Sequence, residues 1–368
     1  MRVWLRRLAL LAAGWLVVIL ALPGPVAADT CACDPIQPFL VVDRLNEIHV
    51  VYRDATNPGI IYASNRTGTW IRKRLTSAKD LPYAITVDAT QHSWTVFRRE
   101  ANDAVHFYVI SNRTSSWVTT RLSIVPDDAY QIRIAVAPNG SLHLSYSTDE
   151  KAWYATNETG TWVRRRLDFS FGMNSTLALD ANGKVHLLFE QCTNDAGEGF
   201  CVDGGIYYQT NVSGDWVTTH ITNDEADWAQ DLLVDAAGKV HLVFVRPSNS
   251  QGVPDAPLGV YYGTNASGTW KYTRIAGSGR LATIERTAGG VVSIFYTRLD
   301  DGVGIYRATN ATGSWVRTAV VPEYALYPSS GMDSNGKLHL AFMRMAIDPG
   351  IYYTTNKSGS WSRLELMD

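Results

Sequence analysis

The stretch Tyr352-Tyr-Thr-Thr-Asn356-Lys-Ser-Gly359-Ser-Trp361 decides the fold, because it recurs. It returns as Tyr306-Arg-Ala-Thr-Asn310-Ala-Thr-Gly313-Ser-Trp315 and Tyr261-Tyr-Gly-Thr-Asn265-Ala-Ser-Gly268-Thr-Trp270, and its tryptophan is met four more times, at Trp216, Trp162, Trp117 and Trp70. Spacings of 45 to 54 residues between these tryptophans belong to solenoids and propellers. Each unit reads as four short strands, as in Leu232–Asp235, Lys239–Phe244, Val260–Thr264 and Trp270–Ile275, with no helical periodicity between them.

Two turns punctuate the unit. Between the first two strands lies Asp-x-x-Gly, seen at Asp180–Gly183, Asp235–Gly238 and Asp333–Gly336, where glycine accepts the positive φ of a tight hairpin. Between the third and fourth lies Asn-x-Ser/Thr-Gly-x-Trp, whose asparagine caps the turn and whose tryptophan returns to pack between neighbouring sheets. Repeated four-stranded units bury both apolar faces by standing side by side around an axis. The expected fold class is therefore all-β, a seven-bladed β-propeller of four-stranded antiparallel blades over residues 37–368. Its ring should close between blades seven and one, with a borrowed terminal strand as the alternative.

These outer hairpins resemble the BNR or Asp-box repeats of the sialidase-like propellers, which set an aspartate five residues before a tryptophan with a glycine and a small hydroxyl residue between. Asn65 to Trp70, Asn310 to Trp315 and Asn356 to Trp361 keep that spacing. Asparagine replaces aspartate, and glycine stands one place nearer the tryptophan. The resemblance covers nearly the whole chain after residue 28 and bears on architecture. As an activity it implies a sialidase-type glycoside hydrolase: Arg98, Arg246, Arg298 and Arg344 would bind a carboxylate, and Glu323 or Glu190 would activate Tyr324 or Tyr296. Asp80 or Asp127 would be the acid. The family's early Arg-Ile-Pro phrase is missing, Arg133-Ile-Ala and Arg274-Ile-Ala being the nearest, and its enzymes usually have six blades. No catalytic residue is assigned on this basis.

The first residues, Met1-Arg-Val-Trp-Leu-Arg-Arg7, precede an apolar run from Leu8 to Leu22 and small residues up to Ala28. That is the pattern of a signal peptide over 1–28, followed by a short segment, 29–36, and it implies a secreted or cell-surface protein. Export permits disulfides, and Cys192 with Cys201 is the expected pair because a short loop closes at low entropic cost. Cys31-Ala-Cys33 has too narrow a spacing for a zinc site, so no metal or cofactor is expected. The net charge of −2 and the lack of a long basic run give no reason to expect nucleic acid. A monomer is expected.

Repetition separates scaffold from site. His49, His143, His186, His241 and His339 share one place in the second strand, so they serve what the blades have in common, a hydrogen bond within or between sheets. The asparagines of the outer hairpins each begin a glycosylation sequon, but turn chemistry calls for them regardless. Irregularity collects on the face where the second-to-third-strand loops and the inter-blade connections emerge. There stand Arg53, Arg98, Arg99, Glu190, Arg246, Tyr296, Arg298 and Arg344, with Glu323 and Tyr324 on the last connection. Arginines around a concave mouth hold carboxylate or sulfate, and tyrosines stack on sugar faces. The sequence thus reads as a secreted recognition propeller binding an anionic glycan or an extracellular protein at this face. The alternatives are a sialidase-like hydrolase and a structural surface scaffold.

Overall fold

The computed structural model describes residues 37–366, apart from 55–58, 78, 103, 149–150, 168–170, 196–200, 225–226, 247–256, 301, 346–348 and the side chains of 171–173, 192–195 and 201–203. The expected signal peptide, the segment 29–36, Cys31 and Cys33 lie outside the described residues. Seven four-stranded antiparallel sheets follow one another along the chain, at 39–74, 81–121, 130–166, 171–220, 228–276, 280–321 and 325–365. Each first strand touches the first strands of the two neighbouring blades, including blade seven against blade one. The first strands therefore surround the axis and the fourth strands form the outer wall. Burial follows this order: Leu142–Thr148, a second strand, is buried throughout, and Val118–Arg121, a fourth strand, is exposed throughout. Among the described residues no helix is long and apolar enough to cross a membrane.

Every blade is built from consecutive strands, so no strand is exchanged at the closure. The seam between blades seven and one is held by packing and by a few hydrogen bonds. Leu40, Val50, Tyr52 and Ala63 share one apolar cluster with Ala341, Met343, Ile351 and Leu366. Across the seam the Leu40 N–H donates to Ser329 Oγ at 2.8 Å, the Ser334 N–H to Asn46 Oδ1 at 2.7 Å, and the Tyr52 hydroxyl to the Leu366 carbonyl at 2.6 Å.

The outer hairpin is one device used seven times. Its asparagine accepts, at 2.7–2.8 Å, the N–H that opens the second strand, from Ile48 N to Asn65 Oδ1 through to Leu338 N to Asn356 Oδ1. The hydroxyl two residues on donates to the carbonyl two further, as in Ser213 to Asp215 at 3.1 Å. Both halves of the apparent sequon are thus explained by the turn. Gly68 has φ 83° with open space around it, so glycine is there for its backbone angle alone.

The recurring histidines join this hairpin system to the blade interface. In five blades His Nδ1 lies 2.6 Å from the hydroxyl of a third-strand tyrosine: His49–Tyr62, His143–Tyr154, His186–Tyr208, His241–Tyr262 and His339–Tyr353. His49 and His241 turn Nε2 toward the inner-hairpin aspartates Asp43 and Asp235, at 3.1 and 3.3 Å. Burial lowers each histidine's pKa, so in these two the neutral ring donates to aspartate and accepts from tyrosine. The tyrosine ring then meets the next blade's tryptophan, in Tyr62–Trp117, Tyr154–Trp216, Tyr208–Trp270 and Tyr262–Trp315, and across the seam in Tyr353–Trp70, with centroids 4.9–5.4 Å apart. Blade two puts Trp94 in the histidine place, donating to Asp88 at 3.1 Å, and blade six uses Ser293 with Arg307.

Tyr353→Phe keeps the contact with Trp70 and strands His339 Nδ1, so it should cost about 1–3 kcal/mol in urea unfolding. Tyr353→Ala removes the ring as well and should cost about 3–5 kcal/mol. A Tyr353→Phe variant as stable as the unmodified protein would show that the hydrogen bond contributes nothing at the seam.

Candidate functional site

In blades two to seven the first strand slips register near its start, between Pro82 and Ala84, Tyr130 and Arg133, Met173 and Thr176, Ala229 and Asp231, Arg280 and Thr283, and Leu326 and Ser329. Each slip is a bulge, which leaves an extra residue out of the ladder and re-aims its side chain. Gln131, Asn174, Leu281 and Tyr327 occupy such places with φ of 52°, 44°, 54° and 55°. Non-glycine residues in this region are strained, and strain of this kind collects at functional sites.

The bulges surround a cavity of about 270 Å³ on the axis, and its wall is two-sided. Phe39, Leu40, Ala84 and Ile85, from blades one and two, form an apolar side. Blades three to seven bring the polar groups, Arg133, Thr176, Gln230, Asp231, Thr283, Ser329 and Ser330, set among Ile134, Leu177, Leu281, Ala282 and Pro328, and Tyr327 and Gln37 complete the wall. On the polar side, hydrogen bonds cross from blade to blade. Gln131 Nε2 donates to Asn174 Oδ1, Gln230 Oε1 accepts from Ala282 N at 3.0 Å, and Asp231 Oδ2 accepts from Ile284 N at 3.1 Å. Ser330 donates to Glu285 at 2.8 Å, so the Thr283 hydroxyl, 2.8 Å away, donates to Ser330.

Arg133 is the cation of this wall. It makes no ion pair within 4 Å among the described residues, and its one hydrogen bond there runs from Nη1 to the Ile132 carbonyl at 3.5 Å. Most of its five N–H donors remain unspent. Asp231, two blades away, is pushed up to about 6 by burial, opposed by the Ile284 N–H, Arg133 and the Leu232 N–H. Burial pushes Glu285 up to about 8, the nearby Asp231 adding to the effect and the Ser330 hydroxyl opposing it.

Of the residues singled out from sequence, Glu190 joins this system. It sits behind the bulges of blades four and five, accepting Asn174 Nδ2 at 2.7 and 2.8 Å and Ala229 N at 2.8 Å. Burial raises it to about 8 against those bonds. The arginines are held elsewhere, and none lines the cavity. Arg99 is bidentate to Asp80 at 2.9 and 2.7 Å, and Arg246 to Asp227 at 2.6 and 2.7 Å with Asp224 at 2.9 Å. Arg344 meets Glu323 at 3.0 and 2.8 Å, and Arg298 meets Asp300 at 2.9 Å.

Each of these four guanidinium groups also lies over a third-strand tyrosine of its own blade, 5.0–5.4 Å from the centroid: Tyr108, Tyr261, Tyr306 or Tyr352. The rim arginines are therefore a repeated unit, like the histidines. Arg98 faces Glu100 at 3.4 Å, and Arg53 is half-buried with Nε lacking a hydrogen bond among the described residues. Tyr296 is 1% exposed, its phenol raised to about 12 by burial, whereas Tyr324 is 43% exposed. In the ladder Cys192 faces Gly204 and Cys201 faces Asp195; their side chains lie outside the described residues.

Asp43, Glu47 and His49 bring ligand atoms within 4.8 Å of one another in blade one. His49 commits both ring nitrogens, to Asp43 and Tyr62, and Asp43 Oδ1 accepts the N–H groups of Leu45 and Glu47. The cluster works as a turn and not as a metal cradle.

Glu285 gives the axis a pH signature. The folded protein holds its proton up to about 8, while the unfolded chain releases it near the ordinary 4.5. The unfolded state thus binds fewer protons in that window, and this group's contribution to stability falls as pH rises through it and is flat above. Glu285→Gln should flatten this part of the profile in urea titrations at pH 5 and 8; an unchanged slope would remove Glu285 as its source.

No protein-family model matches the sequence, and no curated protein does. Among solved structures the chain is similar to a PL25 ulvan lyase, a polysaccharide lyase, at 11% identity over 90% of this chain and 95% of that one, TM-score 0.62. It is similar to the polysaccharide lyase Uly1 at 10% identity over 91% of both chains, TM-score 0.56. A protein of unknown function from Dyadobacter fermentans matches at 12% identity over 90% of this chain and 94% of that one, TM-score 0.52. At such identities the likeness concerns the fold, and the chain is a seven-bladed β-propeller with polysaccharide lyases among its structural neighbours.

Proposed function

We propose that this protein is a carbohydrate-recognition propeller that seats one sugar ring in the axial cavity. The observation that carries the proposal is the two-sided wall, where a donor-only guanidinium, Arg133, and an acceptor-only carboxylate, Asp231, stand opposite an apolar surface. A sugar hydroxyl both donates and accepts, so neighbouring hydroxyls satisfy both groups while the ring's C–H face meets Phe39, Leu40 and Ile85. Organic ligand pockets run from about 300 to 1,000 Å³, so about 270 Å³ suits a single ring or a chain end. Blades three and five supply the charges, which puts the centre of recognition on the axis of the irregular face and not on the arginine rim.

The fold supports this class of ligand. One ulvan lyase structure, with a TM-score of 0.62 to this chain, holds a -[GlcA(1-4)Rha3S]- saccharide. The signal-peptide pattern of residues 1–28 supports a site of action outside the cytoplasm. The Asp-box likeness extends to the asparagine-capped outer hairpins, while a sialidase-type centre would need free arginines, and of its candidates Arg246, Arg298 and Arg344 are committed to carboxylates and Arg98 faces Glu100.

A glycan array followed by saturation-transfer NMR tests the proposal. Arg133→Ala, Gln230→Ala and Tyr327→Ala should each weaken the selected sugar at least about tenfold, the loss of one good polar or stacking contact. Arg98→Ala should leave affinity unchanged. Loss of binding in Arg98→Ala with full binding in Arg133→Ala would move the site to the rim and overturn the axial reading.

A further inference from the structure

The axial cavity accommodates one ring, but the molecule offers a second sugar contact outside it. On the irregular face the exposed large apolar residues are, among the described residues, confined to blades five to seven: Leu258, Leu299, Val303, Tyr324 and Met345, each 38–43% exposed. Tyr324 differs from the other exposed tyrosine. The ring of Tyr272 packs on Phe244 and Trp270, whereas the ring of Tyr324 meets no other aromatic ring among the described residues.

The backbone under Tyr324 is held from three sides. Glu323, just before it, is clasped by both Arg344 and Arg363. Ala325, just after it, is fully buried and pairs with Arg344 in the ladder. The Tyr324 carbonyl itself accepts the Met345 N–H at 2.8 Å. An exposed aromatic ring on a fixed backbone is a preorganised stacking platform, with little left to order on binding. Tyr324 also precedes the cavity residue Tyr327 on the same segment by three residues, which span at most roughly 10 Å and less where the chain bulges at Tyr327. A saccharide chain leaving the axis along this segment reaches the platform beyond its first ring.

We infer that Tyr324, with Met345 beside it, forms an outer subsite for a second sugar ring, so that the protein reads an oligosaccharide and not a free monosaccharide. The inference rests on the axial cavity being a sugar site. Its occupant is the continuation of the chain whose end ring lies between Arg133 and Asp231. Tyrosine recognises it by stacking on the C–H face of a pyranose, and the neighbouring Glu323–Arg344–Arg363 cluster, one carboxylate against two guanidinium groups, carries a net positive charge, so the platform takes a neutral or an acidic ring.

The probes are methyl glycosides of glucose, galactose, mannose and rhamnose, each compared with its homotrisaccharide by calorimetry on the full chain. For the sugar that binds, the trisaccharide should be about tenfold tighter than the glycoside, the worth of one stacked ring. Tyr324→Ala should erase that gain and leave the glycoside unchanged, and Tyr324→Phe should retain it. A trisaccharide gain that survives Tyr324→Ala, or the absence of any gain, overturns the outer subsite while leaving the axial site standing. Failure of every glycoside and trisaccharide to bind the unmodified protein overturns the axial reading and the subsite with it.

Discussion

The propeller depends on one buried hydrogen bond, the 2.6 Å contact between a second-strand histidine and a third-strand tyrosine. On one side it reaches the inner hairpin, where aspartate holds the turn and faces the imidazole. On the other it fixes the tyrosine ring on which the next blade's tryptophan packs. Turn, strand pair and blade interface are thereby one connected unit. Burial keeps the histidines neutral, which lets one ring nitrogen donate and the other accept. Protonation would turn each tyrosine from donor to acceptor, and burial opposes it, so the residues that most invite a catalytic reading are held in one role by the scaffold.

How much of this was legible in the sequence follows from distance along the chain. The two hairpins are local, and their side chains act within a few residues, so Asp-x-x-Gly and Asn-x-Ser/Thr-Gly-x-Trp spelled out both the turns and the period. Counting histidines in five blades was enough to place them in the scaffold. The rim arginines called for the same reasoning, and the signal was present. Asp80 precedes Arg99 by 19 residues, Asp227 precedes Arg246 by 19, and Glu323 precedes Arg344 by 21. An acid recurring 19 to 21 residues before an arginine marks a repeated pair, so those arginines belong to what the blades share, while Arg298 takes its acid from Asp300, two residues after it.

The axial residues were hidden for a different reason. A bulge adds one residue to a strand whose alternation otherwise persists, so Gln131, Asn174 and Tyr327 look like ordinary strand residues until the register is known. Arg133 and Asp231 face one cavity only because the ring brings the third and fifth blades to one axis. The usable hint is chemical: a charge inside an inner strand, as at Arg133, Asp231 and Glu285, is costly unless it is paired or put to use. Glu190 was noticed for its neighbouring insertion, yet its place in the fold comes from the amide of Asn174 and the backbone of Ala229.

The seam between blades seven and one gives the axial cavity a mechanical meaning. It is the one junction of the ring that no peptide link crosses, and the cavity straddles it, with Phe39 and Leu40 on one bank and Tyr327 and Ser329 on the other. Anything seated there would act as a clasp, favouring the closed ring by mass action in proportion to its occupancy. Recognition at the axis and ring integrity would then share one free-energy balance.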